Sequence, residues 1–249
     1  MSSEYRYLVP NDQMVGFCQS ILSYGGKELK FPEGWQQSVY CSTAQLKTPT
    51  TVHVRLRRYL KEAHTSFGEE SPVILEAKLK ENSNKFRVQL PYGEVVQLLA
   101  QPRELIASIK TNTRNVLVAS WPASQKNFEM LVCALEEIDY FPLYPVAGSI
   151  AERFHYQWGS GPRITLDTNL GYFGFYNRDY FRAIPIGREV CTGKVEFKPM
   201  GRSFESLPQF ICLRQKLENI GAQALAVDYQ ETKLRKLYTQ NLRQRQYGQ

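Results

Sequence analysis

Long apolar runs are missing from this chain. Stretches such as Val116–Ala119 fall far short of the ~18 residues that carry a helix across a bilayer, so a helical membrane span is excluded. The opening MSSEYRYLVP has no basic-then-apolar leader pattern. Histidine is scarce, with only His53, His64 and His155. The five cysteines, Cys18, Cys41, Cys133, Cys191 and Cys212, are odd in number and form no CxxC pair. That spacing offers neither a disulfide framework nor a Cys/His zinc centre. Reduced thiols in a soluble, cytoplasmic protein are the expectation, and any bound metal should be a hard cation on carboxylates. Internal repeats, low-complexity linkers and breaks in composition are also lacking, which favours one domain over 1–249.

The chain does have enough apolar residues, 43% of its 249, to build a core of its own rather than remain disordered. It also has 31 Lys and Arg against 24 Asp and Glu, a net charge of +7. Such an excess points weakly to an anionic partner: a nucleic acid, a phosphate compound or a membrane surface.

Most of the chain reads as strands. Glu4–Val9, Gln37–Ser42, Thr51–Leu60, Val73–Lys80, Lys85–Leu90, Val146–Gln157, Pro162–Thr168, Phe181–Ile186 and Cys191–Lys198 have strand composition and breaks at their ends. Helices are expected over Gln13–Tyr24, capped by Asn11 or Asp12 and stopped by Gly25-Gly26. Others should cover Gly93–Ala100, Pro102–Lys110, Gln125–Ile138 behind a Ser124 cap, and Gln209–Asn219 after Pro208. The tail from about 232 is basic and polar.

Residues i, i+2 and i+4 of a strand share a face. Arg55 and Arg57 therefore share a face with His53, and Glu76 with Lys78 and Lys80. Lys85 shares one with Arg87, and Arg163 with Thr165 and Asp167. Lys194, Glu196 and Lys198 share another, as do Glu4 and Arg6. An antiparallel sheet with a wet, mixed-charge outer face accounts for any one of these strands. Six strands that pair carboxylates with Lys or Arg, or Arg with Arg, fit a closed barrel with a polar interior better. Such an interior surrounds a polyanion with cations and leaves carboxylates to hold a divalent metal.

Several motifs then occur in a recognisable order. Glu4-Tyr5-Arg6-Tyr7-Leu8-Val9 is similar to an E-R-K-Y-L-V strand, and Ser38-Val39-Tyr40-Cys41-Ser42-Thr43 to V-Y-F-D-T. Val54-Arg55-Leu56-Arg57 matches R-x-R. Leu75-Glu76-Ala77-Lys78 and Val195-Glu196-Phe197-Lys198 match L-E-x-K. Tyr144-Pro145-Val146 with Glu152-Arg153 is similar to P-V…Y-x-R, and Arg163–Asn169 reads R-I-T-L-D-T-N. In this order the motifs resemble the VTC domain, the catalytic domain of polyphosphate polymerases in the triphosphate tunnel metalloenzyme (CYTH-like) superfamily. The resemblance runs from about 4 to 240. Arg6 stands where the family has lysine and Ser42 where it has aspartate, and Arg235-Lys236-Leu237-Tyr238 matches the late S-K-Y/F segment only loosely.

The resemblance implies an α+β fold: an antiparallel β-barrel tunnel of about eight strands with peripheral helices. It implies a metal-dependent transfer of the γ-phosphate of ATP onto polyphosphate, with Mn²⁺ or Mg²⁺ as cofactor. Arg55, Arg57, Arg153, Arg163 and Lys198 would then be the catalytic phosphate clamps. Arg6, Lys78, Lys85, Arg87, Lys194 and Lys236 would add phosphate contacts, and Glu196, with Glu76 next, would hold the metal. Glu76 and Asp167 can equally pair with a neighbouring arginine. The expected partners are ATP and polyphosphate or inorganic triphosphate, with no nucleic acid. A membrane-associated partner would leave no trace in this sequence. Hydrolysis of tripolyphosphate or a nucleoside triphosphate on the same fold, and polyphosphate binding without catalysis, remain open alternatives. The aromatic and basic stretch Tyr172–Arg182 invites RNA, but reads as well as a tyrosine-rich hairpin packed on the barrel.

Overall fold

The computed structural model describes residues 4–29, 34–43, 52–60, 73–79, 85–111, 121–159, 161–174, 192–200 and 203–225. The expected strand Phe181–Ile186, most of Tyr172–Arg182 and the basic tail with Lys236 lie outside the described residues.

Ten strands form one sheet, every pairing antiparallel. They are β1 (Tyr5–Pro10), β2 (Lys27–Glu28), β3 (Trp35–Thr43), β4 (Val52–Leu60) and β5 (Val73–Leu79). The others are β6 (Lys85–Leu90), β7 (Leu143–Gln157), β8 (Arg163–Gly174), β9 (Thr192–Lys198) and β10 (Gln223–Ala224). Their order is β10-β1-β9-β8-β7-β3-β4-β5-β6, with β2 added to the end of β7. Five helices accompany them: α1 (Met14–Ser23), α2 (Tyr92–Ala100), α3 (Pro102–Thr111), α4 (Trp121–Glu136) and α5 (Pro208–Asn219).

The fold is thus mixed α and β around an antiparallel sheet, but the expected closed barrel is not what the described residues form. They contain no pairing between β6 and β1. The outer edge of β1 is taken by β10, through Tyr7 opposite Ala224 and Leu8 opposite Gln223, so those backbone groups are already used.

Period-two alternation sorts the strands into two faces, as the sequence implied. Val39, Val54, Leu56, Leu75, Ala77, Phe86 and Val88 bury one half of the apolar face. Over them lie Val95 and Leu99 of α2, Leu105, Ile106 and Ile109 of α3, and Phe128, Leu131 and Leu135 of α4. The other half, Tyr7, Val9, Tyr156, Ile164, Leu166, Val195 and Phe197, packs against α1 and α5. Those helices present Met14, Phe17 and Ile21, and Phe210, Leu213 and Leu217, each set spaced i, i+3, i+7 as one helical face requires. Each fully buried side chain of this size contributes about 1.5–3 kcal/mol by leaving water, so this face supplies the cohesion of the fold.

Two expected helix starts differ. Asn11 and Asp12 do not cap α1. Asn11–Gln13 form a 3₁₀ turn, and the Asn11 side chain reaches Asn169 instead. Helix α4 begins at Trp121, so Ser124 lies inside it, one turn past its expected place as a cap. The Gly25-Gly26 stop is as expected. Gly25 takes φ +83°, and a Cβ on Gly26 would stand 2.7 Å from the Ile21 carbonyl oxygen, too close for any other residue.

Candidate functional site

Both helical groups cover the apolar face, yet the polar face is also buried. Glu76 is 0% exposed, Asp167 1%, Glu196 5% and Arg57 7%. A flat sheet would leave these side chains in water. Bends are built into the strands, with register shifts at Tyr40/Cys41, Ile150/Glu152 and Asp167/Leu170, and such bulges increase local bend and twist. Side chains two strands apart feel one another across this face: Arg57 on β4 senses Arg153 on β7, and Arg153 senses Glu196 on β9.

The charges form three clusters, each on a cross-strand row. In the first, Arg55, Glu76 and Arg87 stand opposite one another on β4, β5 and β6. Glu76 receives Arg87 Nε at 2.6 Å and Arg57 Nη1 at 3.5 Å, and pairs directly with Arg55. Arg55 also donates to the Tyr40 hydroxyl at 3.2 Å. Three guanidinium groups thus share one carboxylate. Burial, followed by repulsion from Arg55 and then Arg153, pushes Arg57 down to about 10 despite Glu76. Arg57 Nε and Arg55 Nε are buried with no hydrogen-bond acceptor among the described residues.

In the second, Arg153 grips Asp167 with both arms of its fork, Nε to Oδ1 at 2.5 Å and Nη2 to Oδ2 at 2.8 Å. Its third nitrogen donates to Gln36 Oε1 at 2.7 Å, and Lys194 Nζ reaches Asp167 Oδ2 at 2.9 Å. Burial alone would raise the Asp167 pKa, but Arg153 and Lys194 outweigh it and hold the carboxyl below its usual range. The chain turn beyond Asp167 is locked by a reciprocal amide pair. Asn11 Nδ2 donates to Asn169 Oδ1 at 2.6 Å and the Asn169 backbone N–H to Asn11 Oδ1 at 3.0 Å, with Asn169 at φ +50°. This is the role of the asparagine that ends R-I-T-L-D-T-N: it fixes the bulge that aims Asp167.

In the third, Arg6 Nε donates to Glu196 Oε1 at 2.7 Å and Arg6 Nη2 to Glu4 Oε2 at 2.8 Å. Lys198 Nζ bridges Glu4 at 3.2 Å and Glu196 at 3.3 Å. Burial works against the Glu196 charge, but Lys194, a hydrogen bond from Glu4, Lys198 and Arg6 hold its pKa well below normal. Glu4 shifts the other way, raised by burial and by the adjacent Glu196 carboxylate. Glu4 Oε1 is buried without a hydrogen bond among the described residues.

Arg163 shares the face of Thr165 and Asp167 and stands opposite Lys198. It makes no ion pair among the described residues, and its Nε is buried and unbonded. The structure therefore brings Arg6, Arg55, Arg57, Arg87, Arg153, Arg163, Lys194 and Lys198 to one polar face with Glu76 and Glu196. Lys78 and Lys85 face each other in register on β5 and β6, but their side chains, like all of Lys236, lie outside the described residues. Composition and motifs missed Gln36, Tyr40 and His155 on this face. Alternation with Ser38 on β3 and with Arg153 on β7 was the available signal. Among the described residues no three Asp, Glu, His or Cys side chains converge as a metal cluster.

Three solved structures resemble the fold at low identity. A Vibrio parahaemolyticus protein provisionally assigned as an adenylate cyclase aligns at 11% identity and TM-score 0.44, over 92% of this chain and 97% of its own. A Pyrococcus horikoshii protein aligns at 13% and 0.42, over 97% and 99%. A chain of the Schizosaccharomyces pombe Mediator head module aligns at 10% and 0.37, over 87% and 92%. Among curated protein sequences none matches. The family model of the VTC domain matches residues 37–199, which takes in nearly all of β3, all of β4 through β9, and the charged side chains of those strands, while Glu4 and Arg6 of the third row lie before it. The chain belongs to the VTC domain family.

Proposed function

We propose that this protein is a phosphotransferase that moves the γ-phosphate of ATP onto a polyphosphate chain held against the charged face of its curved sheet. The observation that carries the reading is the surplus of cations over carboxylates on a buried surface, with the Nε–H groups of Arg55, Arg57 and Arg163 meeting no acceptor among the described residues. Buried donors of this kind are costly unless an anion completes them. Phosphate oxygens suit them, because the planar fork of arginine meets two such oxygens at once.

Phosphoryl transfer spreads negative charge over the equatorial oxygens of the moving group, so positioned cations supply most of the catalysis. The terminal oxygen of the acceptor chain bonds to the γ-phosphorus, the bond to the β–γ bridging oxygen breaks, and ADP leaves. Arg55, Arg57, Arg153 and Arg163 hold the oxygens in line. Asp167 and Glu76 hold those arginines: Glu76 is enclosed by three guanidinium groups, a setting that repels a dication, so in this reading it is not a metal ligand. Glu196 and Glu4 fit a hard divalent cation better. They are neighbouring carboxylates, and the Glu4 pKa is raised first by burial and then by its contact with Glu196, a pairing of two acids that a cation between them would favour. Mn²⁺ or Mg²⁺ held there would neutralise charge on the phosphates.

The test is incubation of purified protein with ATP and Mn²⁺ or Mg²⁺, followed by gel separation of polyphosphate and a free-phosphate assay. Polymer growth is expected. Phosphate release without polymer establishes the hydrolase on the same residues. Neither product, with tripolyphosphate still raising the melting temperature, leaves a binding module.

A further inference from the structure

His155 is the one histidine among the described residues whose side chain is defined, and it lies among the cations of the polar face. It stands opposite Thr165, which stands opposite Glu196, which stands opposite Arg6. The ring Nδ1 lies 3.2 Å from Thr165 Oγ1. The charged groups that act on it most strongly are Arg153 on its own strand, Arg163 and Asp167 on β8, and Lys198 on β9. On the remaining side, β2 brings Lys27 opposite Gln157, and the Leu29 amide donates to the His155 carbonyl oxygen at 2.8 Å. Three cations against one carboxylate, itself gripped by Arg153 and Lys194, make this a poor place for a second positive charge.

We infer that His155 is a proton-linked binding residue: it is neutral while the face is empty and takes up a proton when a phosphate chain settles on Arg153, Arg163 and Lys198. This rests on the phosphate-chain reading of the face and adds a residue and a pH dependence to it. The physical basis is a change in the sign of the local field. In the free protein, burial first, then Arg153, Arg163 and Lys198, push the ring down to about 4. A chain that neutralises those cations removes the repulsion and supplies an acceptor for an imidazolium N–H, and the ring returns toward its ordinary value of about 6.5. The pKa is then higher in the bound state, so the added affinity is present below about 6.5 and lost as pH rises through it.

The experiment uses the whole chain and inorganic tripolyphosphate with EDTA. Calorimetric titration at pH 5.5, in two buffers of different ionisation heat, counts the protons taken up per bound chain. The wild type should take up about one proton more than His155→Gln, whose amide can keep the bond to Thr165. Its affinity advantage over the variant should grow about tenfold from pH 7.5 to 5.5. Comparison with the variant also cancels titration of the ligand and of His53 and His64. A ring-nitrogen NMR signal, identified by its loss in the variant, gives a second readout on the wild type alone. It should report a neutral ring at pH 5.5 that becomes imidazolium with tripolyphosphate. Equal proton counts, or a ring that stays neutral in the complex, overturn this inference and leave the phosphate-chain reading standing. Failure of tripolyphosphate to bind the wild type overturns both.

Discussion

Glu76→Gln separates an arginine-holding carboxylate from a metal ligand. The wild-type side chain is fully buried and pairs with Arg55, Arg57 and Arg87. The amide keeps the shape and one acceptor oxygen but removes the charge, leaving three guanidinium groups around a neutral centre. Removing one partner of a buried charge pair costs about 3–5 kcal/mol, a large share of the ~5–15 kcal/mol that holds a domain folded. In a domain of this size each kcal/mol moves the melting temperature by about 2–4 °C, so the variant should melt roughly 6–20 °C lower. Calorimetry with and without tripolyphosphate reads both halves of the argument. The ligand should recover more degrees in the variant than it adds to the wild type, because its oxygens replace the lost counter-charge. A variant that melts within about 2 °C of wild type, close to the ±0.5 kcal/mol of an ordinary surface change, and that loses Mn²⁺ binding instead, would return Glu76 to the metal site and refute the assignment.

Asp167 should govern the acid limb of stability. Its folded pKa is depressed, so its contribution is present above the unfolded value of about 3.9 and is lost as pH falls toward the folded one. Asp167→Asn should therefore lower stability at pH 7 and flatten the slope of unfolding free energy below pH 4, read by urea titration at several pH values. A slope equal to wild type would contradict the Arg153–Lys194 grip. Glu196→Gln should weaken Mn²⁺ binding in the presence of tripolyphosphate at least tenfold, because a neutral amide is a poor ligand for a hard dication. Manganese spin resonance measures this directly, and unchanged affinity would move the site away from β9.

Much of this was legible in the sequence because alternation is a local signal. The faces of β4, β5, β8 and β9 follow from residues two apart, and Arg55, Glu76, Asp167 and Glu196 all fall on the face that alternation gives them. What alternation cannot carry is register across strands joined through distant turns. Which cation meets which carboxylate depends on Glu76 landing opposite both Arg55 and Arg87, and nothing within β5 states that. Bulges are equally hidden, since the register shift on β8 depends on Asn169 meeting a partner far away in the chain. The Asn11–Asn169 pair joins positions 158 residues apart. Asparagine serves both as a helix cap and as a long-range partner, so its type alone does not say which Asn11 will be. A polar face rich in charge implies enclosure but does not say which strand supplies it. Several of its charged side chains are indeed buried, but among the described residues β10 rather than β6 takes the edge of β1.

The distribution of charge along the sheet also bears on direction. Three cations share Glu76, two share Asp167, and two are matched by Glu4 and Glu196 together. A face of cations alone would repel itself and fold poorly. A fully matched face would have no use for a polyanion, since every phosphate oxygen would compete with a carboxylate already in place. The buried carboxylates therefore set how much positive charge each row offers, rather than adding net stability, which apolar replacements could supply as well. The rows over β4–β6 hold the greatest unmet positive charge, and the row at β1 and β9 the least. A bare phosphate group is attracted most strongly to the first, whereas the second draws it more strongly when a cation accompanies it. On the phosphotransferase reading, the metal belongs near Glu4 and Glu196, and the phosphate chain runs over the rows of Arg55, Arg57 and Arg87 and of Arg153 and Arg163, with Lys198 at its edge.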